Sequence, residues 1–270
     1  MTEPSVAVHR PVSHTCGQLR TEVEAFQKNG SQSVFANIAV MSAAVKLRAE
    51  AITSVRLPAG RRERNKREKA ERIVVAATRM FHSLGYRETT MNMIASAAAV
   101  AHGTLFLYAR DKRELLLRII NDELDVLSAN AIAAVDRDAP VVEQLMQVFA
   151  PRYAYWGVDP DLSLHALQEV LRPQPGDEDP TSQYARYQGR RDQLIANVAG
   201  IIADQQRLGA IRPDEDASTL GDLCMAVHLS VVRSWLRRGA PAAASGVGDL
   251  RRLLSTAMRA AVTGSLRNTD

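Results

Sequence analysis

Residues 89–115 read TTMNMIASAAAVAHGTLFLYARDKREL, and this stretch decides the fold. Thr89 and Thr90 are good helix N-caps, because a side-chain oxygen there accepts a first-turn N–H that has no helical partner. Met91, Ile94, Ala95 and Ala98 follow at helical spacing. The run AAAVA at 97–101 is small enough for one short helix to turn tightly onto the next. A second short helix opens near His102 and carries Thr104, Leu105, Phe106 and Tyr108. Asp111, with Glu114 three residues later, is a capping-box pattern that starts a third, longer helix. Two short helices at a sharp angle, the second bearing small, hydroxyl and aromatic side chains, predict a helix-turn-helix shaped to enter a major groove.

Working outward, residues 68–84 place Ile73, Ala77, Met80, Phe81 and Leu84 on one helical face, and Gly85 supplies a stop. Upstream, PAG at 58–60 breaks any helix, and the basic run RRERNKR at 61–67 follows directly. The formal charge of the whole chain is only +4, but residues 61–113 hold twelve Lys/Arg against five Asp/Glu. That segment is a net +7, which leaves −3 for the remainder. A basic module on a slightly acidic body suits a phosphate-binding head, the plainer alternative being a solvated charged helix face.

The chain as a whole predicts an all-α protein. Aromatic residues make up 5% of its 270 residues, and strand signals are scarce. Cys16 and Cys224 are too few for a zinc site or a disulfide framework, which points to a reducing cytoplasm. No apolar run approaches the ~18 residues that span a bilayer, so no membrane partner is expected. No phosphate loop, nucleophile elbow, paired metal motif or triad is present in the sequence. The expectation is therefore a protein that is not an enzyme, with no metal and no cofactor. An enzyme in the helical body remains the rival from another class.

Phe81, Gly85, Tyr86, Thr89, Thr90, Ile94, Ala95, Ala98, Val100, Gly103, Thr104, Leu105, Tyr108, Lys112, Glu114 and Leu115 together resemble the N-terminal signature of TetR-type (TetR/AcrR) transcriptional regulators. The resemblance runs without gaps over roughly 64–118. It implies a three-helix DNA-binding head on a helical ligand-binding and dimerisation body, with nine helices beyond any N-terminal extra. Its implied DNA contacts are Thr90, His102, Gly103, Thr104, Phe106, Tyr108 and Lys112, with Arg61, Arg62 and Arg64 on a basic arm. Such an arm lies along the backbone or reaches the minor groove; otherwise it is a solvated linker. Thr104 suits a phosphate, a base edge or a thymine methyl, and Gly103 lets the backbone approach closely. For His102 the alternative is an ordinary exposed histidine. Leu105 and Leu107 read as core or groove packing rather than readout. Ala99, Ala101, Phe106 and Ala109 stand where Gly, Ser, Tyr and Phe are common. An alanine at a φ > 0 position costs about 1 kcal/mol relative to glycine.

The expected division is an N-terminal extension at 1–57, an arm and DNA-binding domain at 58–113, an effector-binding and dimerisation domain at 114–264 and a tail at 265–270. Three readings stay open for the extension: an added helix on the body, a partner-binding segment, or upstream sequence preceding a later start such as Met41. In the body, helices are expected over 115–135, from Pro140, over 151–156, 161–171, 182–208, 216–238 and 249–262. The stretch 173–180, PQPGDEDP, reads as a loop too polar to pack, and 241–248 as a linker. Met146, Phe149, Tyr153, Trp156, His165, Gln168, Tyr184, Tyr187, Cys224 and His228 mix aromatic and polar groups as effector pockets do, though each alone is more often core. Leu220, Val227, Val231, Trp235, Leu250, Leu254 and Met258 form stripes that the resemblance assigns to a dimer interface, ordinary core being the alternative. The expected partners are double-stranded DNA, a second copy of the chain and an unidentified small molecule. The expected function is a ligand-responsive homodimeric repressor of a pseudo-palindromic operator. A non-specific or architectural DNA binder is the alternative.

Overall fold

The computed structural model describes residues 60–259 and 261. The expectations for 1–57 and 265–270 lie outside the described residues. Among those described there are ten helices and no strand: α1 (Arg61–Leu84), α2 (Met91–Ala97), α3 (His102–Leu105), α4 (Lys112–Ala133), α5 (Val141–Phe149), α6 (Pro151–Trp156), α7 (Pro160–Val170), α8 (Gln183–Arg207), α9 (Ala217–Arg237) and α10 (Ala243–Arg259). The all-α class and the helical body under a helix-turn-helix are as the sequence predicts. The count exceeds nine because α5 and α6 are separate. Ala150 keeps helical dihedrals, but Pro151 has no N–H to continue the ladder.

The basic run at 61–67 is not a loose arm. It forms the first turns of α1, 24 residues long, with Arg61, Arg62 and Arg64 exposed along it. Arg, Lys and Glu are strong helix formers, and Glu63 in the first turn complements the positive end of the dipole. The Gly60 carbonyl accepts from the Glu63 and Arg64 amides at 3.0 and 3.1 Å, so the helix starts immediately after the break. Ile73, Ala76, Ala77 and Phe81 bury the inner face of α1 against α2 and α4.

α4 connects head and body and is buried on nearly every side. Leu115, Leu116, Leu117, Ile119, Ile120, Leu124 and Leu127 are all core, the pattern of a central helix rather than a surface one. It packs against α1, α5, α7 and α8, while α9 packs against α7, α8 and α10. The start of α10 corrects the expectation of a linker over 241–248. Gly246 sits under the Tyr153 ring so closely that a Cβ there would lie 2.6 Å from the ring and 3.0 Å from Trp235. A Gly- and Ala-rich segment reads as linker, yet its small side chains are what let α10 dock this tightly.

The acidic loop also departs from expectation, because part of it packs. Asp177 is buried and receives two hydrogen bonds from Arg113, at 2.6 and 2.9 Å. Arg113 also lies 3.1 Å from the Glu169 carboxylate. Burial alone raises the carboxyl of Asp177, but hydrogen bonds from Arg113 and the Gln174 amide outweigh it and hold the group below the ordinary carboxylate range. A carboxyl lowered on folding contributes stability above its unfolded value near ~3.9, and loses it as the pH falls through the folded value. Asp177→Asn leaves Arg113 with one buried partner fewer, at about 3 kcal/mol or a melting temperature lower by roughly 6–12 °C. Thermal unfolding of both proteins at pH 7 and pH 3.5 checks this: the gap is full at the higher pH and shrinks at the lower.

Candidate nucleic-acid interface and body cavity

Thr90 is the N-cap of α2, its hydroxyl accepting from the Met93 amide at 3.3 Å. Thr89 is buried instead and donates to the carbonyl of Gly85 at 2.8 Å, tying the α1–α2 connection. Ile94 and Ala95 bury the inner face of α2. At its end the Val100 amide reaches back to the Ala95 carbonyl at 3.0 Å, with Ala99 at φ 52°. This is a Schellman-type helix end whose left-handed residue is an alanine, the strained position anticipated from the missing glycine.

α3 is a single turn anchored by Leu105, which is fully buried. Around that anchor His102, Gly103, Phe106 and Leu107 are exposed, while Thr104 and Tyr108 are half-buried. His102 and Phe106 meet edge to face at 4.9 Å, which fixes both rings on the outer surface. Leu107 is 82% exposed and stands outside the core, whereas Leu105 is in it. Of the predicted DNA-side residues in and just after α3, His102, Gly103 and Phe106 are thus exposed, and Thr104 and Tyr108 are half-buried. Arg61, Arg62 and Arg64 extend from the exposed start of α1.

Lys112 is engaged within the chain. Its ammonium donates to the carbonyls of Tyr86 at 2.6 Å and Arg87 at 3.1 Å, and lies 4.5 Å from the centre of the Tyr86 ring. Burial lowers its pKa against the pull of Glu88 and Glu169. The first turn of α4 is thereby fastened to the α1–α2 connection. Asp111 caps that turn by accepting from the Glu114 amide at 2.7 Å, as the capping pattern predicts.

In the body, a cavity of about 30 Å³ lies between α4, α6, α7, α8 and α9. Its apolar wall includes Leu124, Trp156, Leu167, Leu194 and Met225, and its polar groups are Arg152, Tyr187, Arg190 and His228. Of the predicted effector residues, Trp156, Tyr187 and His228 line it directly. Phe149 stacks on His228 at 4.9 Å and Tyr153 meets it edge-on at 5.8 Å. Met146 is fully buried, whereas Gln168 is exposed. His165 packs on Tyr86 of the head, and Tyr184 lies under Arg113. Cys224 faces α10, its sulfur 4.0 Å from that of Met258, and burial pushes its thiol up to about 12. Among the described residues no three His, Cys, Asp or Glu side chains form a metal-binding group.

Trp235, Leu250, Leu254 and Met258 are fully buried within the single chain, and Leu220 and Val231 nearly so. They pack α9 against α10 and the body, because adjacent helices use the same apolar spacing that a dimer would use. Val227 is half-buried, and Leu223 and Leu253, which belong to the same stripes, are 42% and 44% exposed.

The residues missed from the sequence are Arg113, Arg152, Asp177 and Arg190. Arg152 falls at helical spacing between Val148 and Trp156, and Arg190 between Tyr187 and Leu194. An arginine inside an apolar stripe was the available signal for both.

Residues 73–119 match the model for bacterial regulatory proteins of the tetR family. Over this head the chain is similar to the TetR family. The described TetR-type body agrees in fold with solved regulators. The repressor FadR of Thermus thermophilus, solved in complex with lauroyl-CoA, is 26% identical, with a TM-score of 0.56 over 70% of this chain and 94% of that one. The HTH-type transcriptional regulator YhgD of Bacillus subtilis, itself uncharacterised, is 22% identical over 63% of this chain and 85% of its own length. A fatty acid metabolism regulator protein of the same organism is 25% identical over 40% of this chain and 55% of its own length. Among the described residues no helix is long and apolar enough to cross a membrane.

The strain at Ala99 is testable within this TetR-type head. Ala99→Gly relieves the left-handed alanine at some cost in unfolded-state entropy, and is expected to stabilise by about 0.5–1 kcal/mol net. Denaturant unfolding with an unchanged m-value checks it.

Proposed function

We propose that the chain is a homodimeric, ligand-responsive repressor of a pseudo-palindromic operator. The observation that carries this reading is the outward face of α3, where His102, Gly103, Phe106 and Leu107 are exposed around the buried Leu105 anchor. Residues 58–113 serve as the DNA-binding domain and 114–264 as the effector and dimerisation domain. Thr90, Thr104, Tyr108 and Lys112 join the α3 face at the DNA, and Arg61, Arg62 and Arg64 supply phosphate contacts from the start of α1. The outer surfaces of α9 and α10, with Leu223, Val227 and Leu253, form the interface that sets the spacing of the two heads.

The effector is a fatty acyl compound. The relative holding lauroyl-CoA and the relative named for fatty acid metabolism support this. The cavity as it stands has room for about one or two waters, so a ligand must part the helices around it. α4 lines that cavity through Leu124 and begins at Lys112, which grips the head. A second connection runs from His82 of α1 to Asp159, the N-cap of α7, at 2.8 Å. Ligand entry therefore favours a different position of the heads, in proportion to its differential affinity for the two arrangements.

DNA fragments from around the protein's own gene, titrated at fixed near-physiological salt with non-specific competitor, test the reading. One fragment is expected to bind tightly and to be released by lauroyl-CoA. A variant carrying Arg61→Ala and Arg62→Ala is expected to bind all sequences more weakly, its salt dependence falling by about one unit of slope for each phosphate left without its arginine. Thr104→Ala is expected to alter preference among fragments. Equal binding to every fragment would sink the operator and leave a non-specific DNA binder.

A further inference from the structure

Resting on the effector reading above, we propose that Arg152 and Arg190 form a buried anion site in the body, which takes the charged end of an amphiphilic ligand whose aliphatic part lies along Leu124, Trp156, Leu194 and Met225. The ligand class is an apolar chain bearing a carboxylate or a phosphate.

The charge of Arg152 is not balanced by a carboxylate among the described residues. Arg152 is 3% exposed, and among the described residues no carboxylate lies within ion-pair distance of it. Its guanidinium is held by the Val148 carbonyl at 2.6 Å and the Ser128 hydroxyl at 2.8 Å, which satisfy hydrogen bonds without neutralising charge. Arg190 adds a second cation to the same cavity, and Arg191 a third at its half-exposed edge. The neighbouring carboxylates are engaged elsewhere. Asp125 is shared between Arg186 and Arg190, and Glu123 accepts the Tyr155 hydroxyl at 2.8 Å. Arg190 Nε lies 3.3 Å from Asp125 but at an angle that makes an ion pair without a hydrogen bond.

A buried cation without a counter-ion is costly, and proteins keep one where a ligand supplies the missing charge. Its effect reaches its neighbours. Burial, with Arg190 adding to it, brings Arg152 down to about 9, and burial with Arg152 brings His228 down to about 3. His228 is therefore a neutral imidazole. Its Nδ1 is buried with no hydrogen-bond partner among the described residues. The cavity thus offers two guanidinium groups and an unpartnered ring nitrogen beside an aliphatic wall. That combination recognises neither a bare ion nor a neutral hydrocarbon.

The test uses the full-length protein and follows thermal stability and binding of laurate below its micelle concentration, lauroyl-CoA and dodecanol. Wild type is expected to bind laurate or lauroyl-CoA and to bind dodecanol at least tenfold more weakly, since charged hydrogen bonds separate them. Laurate binding identifies a carboxylate as the anion, whereas binding of lauroyl-CoA alone identifies a phosphate. Arg152→Met is expected to weaken the anionic ligand about 10- to 100-fold. It is also expected to raise the melting temperature of the ligand-free protein, because it removes an uncompensated charge. Arg190→Met gives the same affinity readout should the first variant fail to fold. Dodecanol binding as tightly as laurate, or unchanged laurate and lauroyl-CoA affinity in both variants, would overturn the site. Failure of wild type to bind any of the three would overturn the site and the acyl effector together, while operator binding, measured separately, decides the regulator.

Discussion

Two adjacent cations in the first turn of α4 hold this molecule together. Lys112 closes on the carbonyls of Tyr86 and Arg87 in the head, and Arg113 closes on Asp177 in the body. Consecutive helical residues point about 100° apart, so one turn grips two different partners. Burying Arg113 is unfavourable by itself, but hydrogen bonds and charge from Asp177 and Glu169 reverse its effect and keep the group firmly protonated. A central helix fastened at its start to both parts cannot shift without moving each of them.

The same physics takes the opposite sign further along α4, where Ser128 meets Arg152. Arg113 is buried with its counter-ions, while Arg152 is buried with a carbonyl and a hydroxyl only. The first arrangement adds stability, and the second costs it. A protein that maximised stability would replace Arg152 with an apolar side chain. Retaining a local penalty is what a binding site requires, because the penalty is relieved only when the ligand arrives.

Much of the architecture was legible because it rests on local rules. Asp111, Ser182 and Asp216 each cap the helix that follows by accepting an amide three residues on. Gly209 takes the left-handed conformation just past the end of α8, and the periodicity of Ile73, Ala77 and Phe81 names the inner face of α1. The outward set on α3 was readable for the same reason: one turn with one apolar anchor leaves little choice of face. What was not legible depended on distant neighbours. The basic run at 61–67 has the composition of a solvated arm and the propensity of a helix, and the propensity prevails. Nothing near Asp177 in sequence announces Arg113, which is 64 residues away. The stripes on α9 and α10 have one spacing for two uses, and only packing shows that Trp235 and Leu254 face inward while Leu223 and Leu253 remain outside.

By itself, then, the sequence determined the helical class, the turn from α2 into α3 and the resemblance of the head to the TetR family, since caps, small residues and apolar spacing act within a few positions. The tertiary structure decided where charge is buried. Whether an arginine inside an apolar stripe meets a carboxylate, as Arg113 does, or only a carbonyl and a hydroxyl, as Arg152 does, depends on which helices pack around it. Electrostatic cost is set by the three-dimensional surroundings of a group, and no local pattern records them.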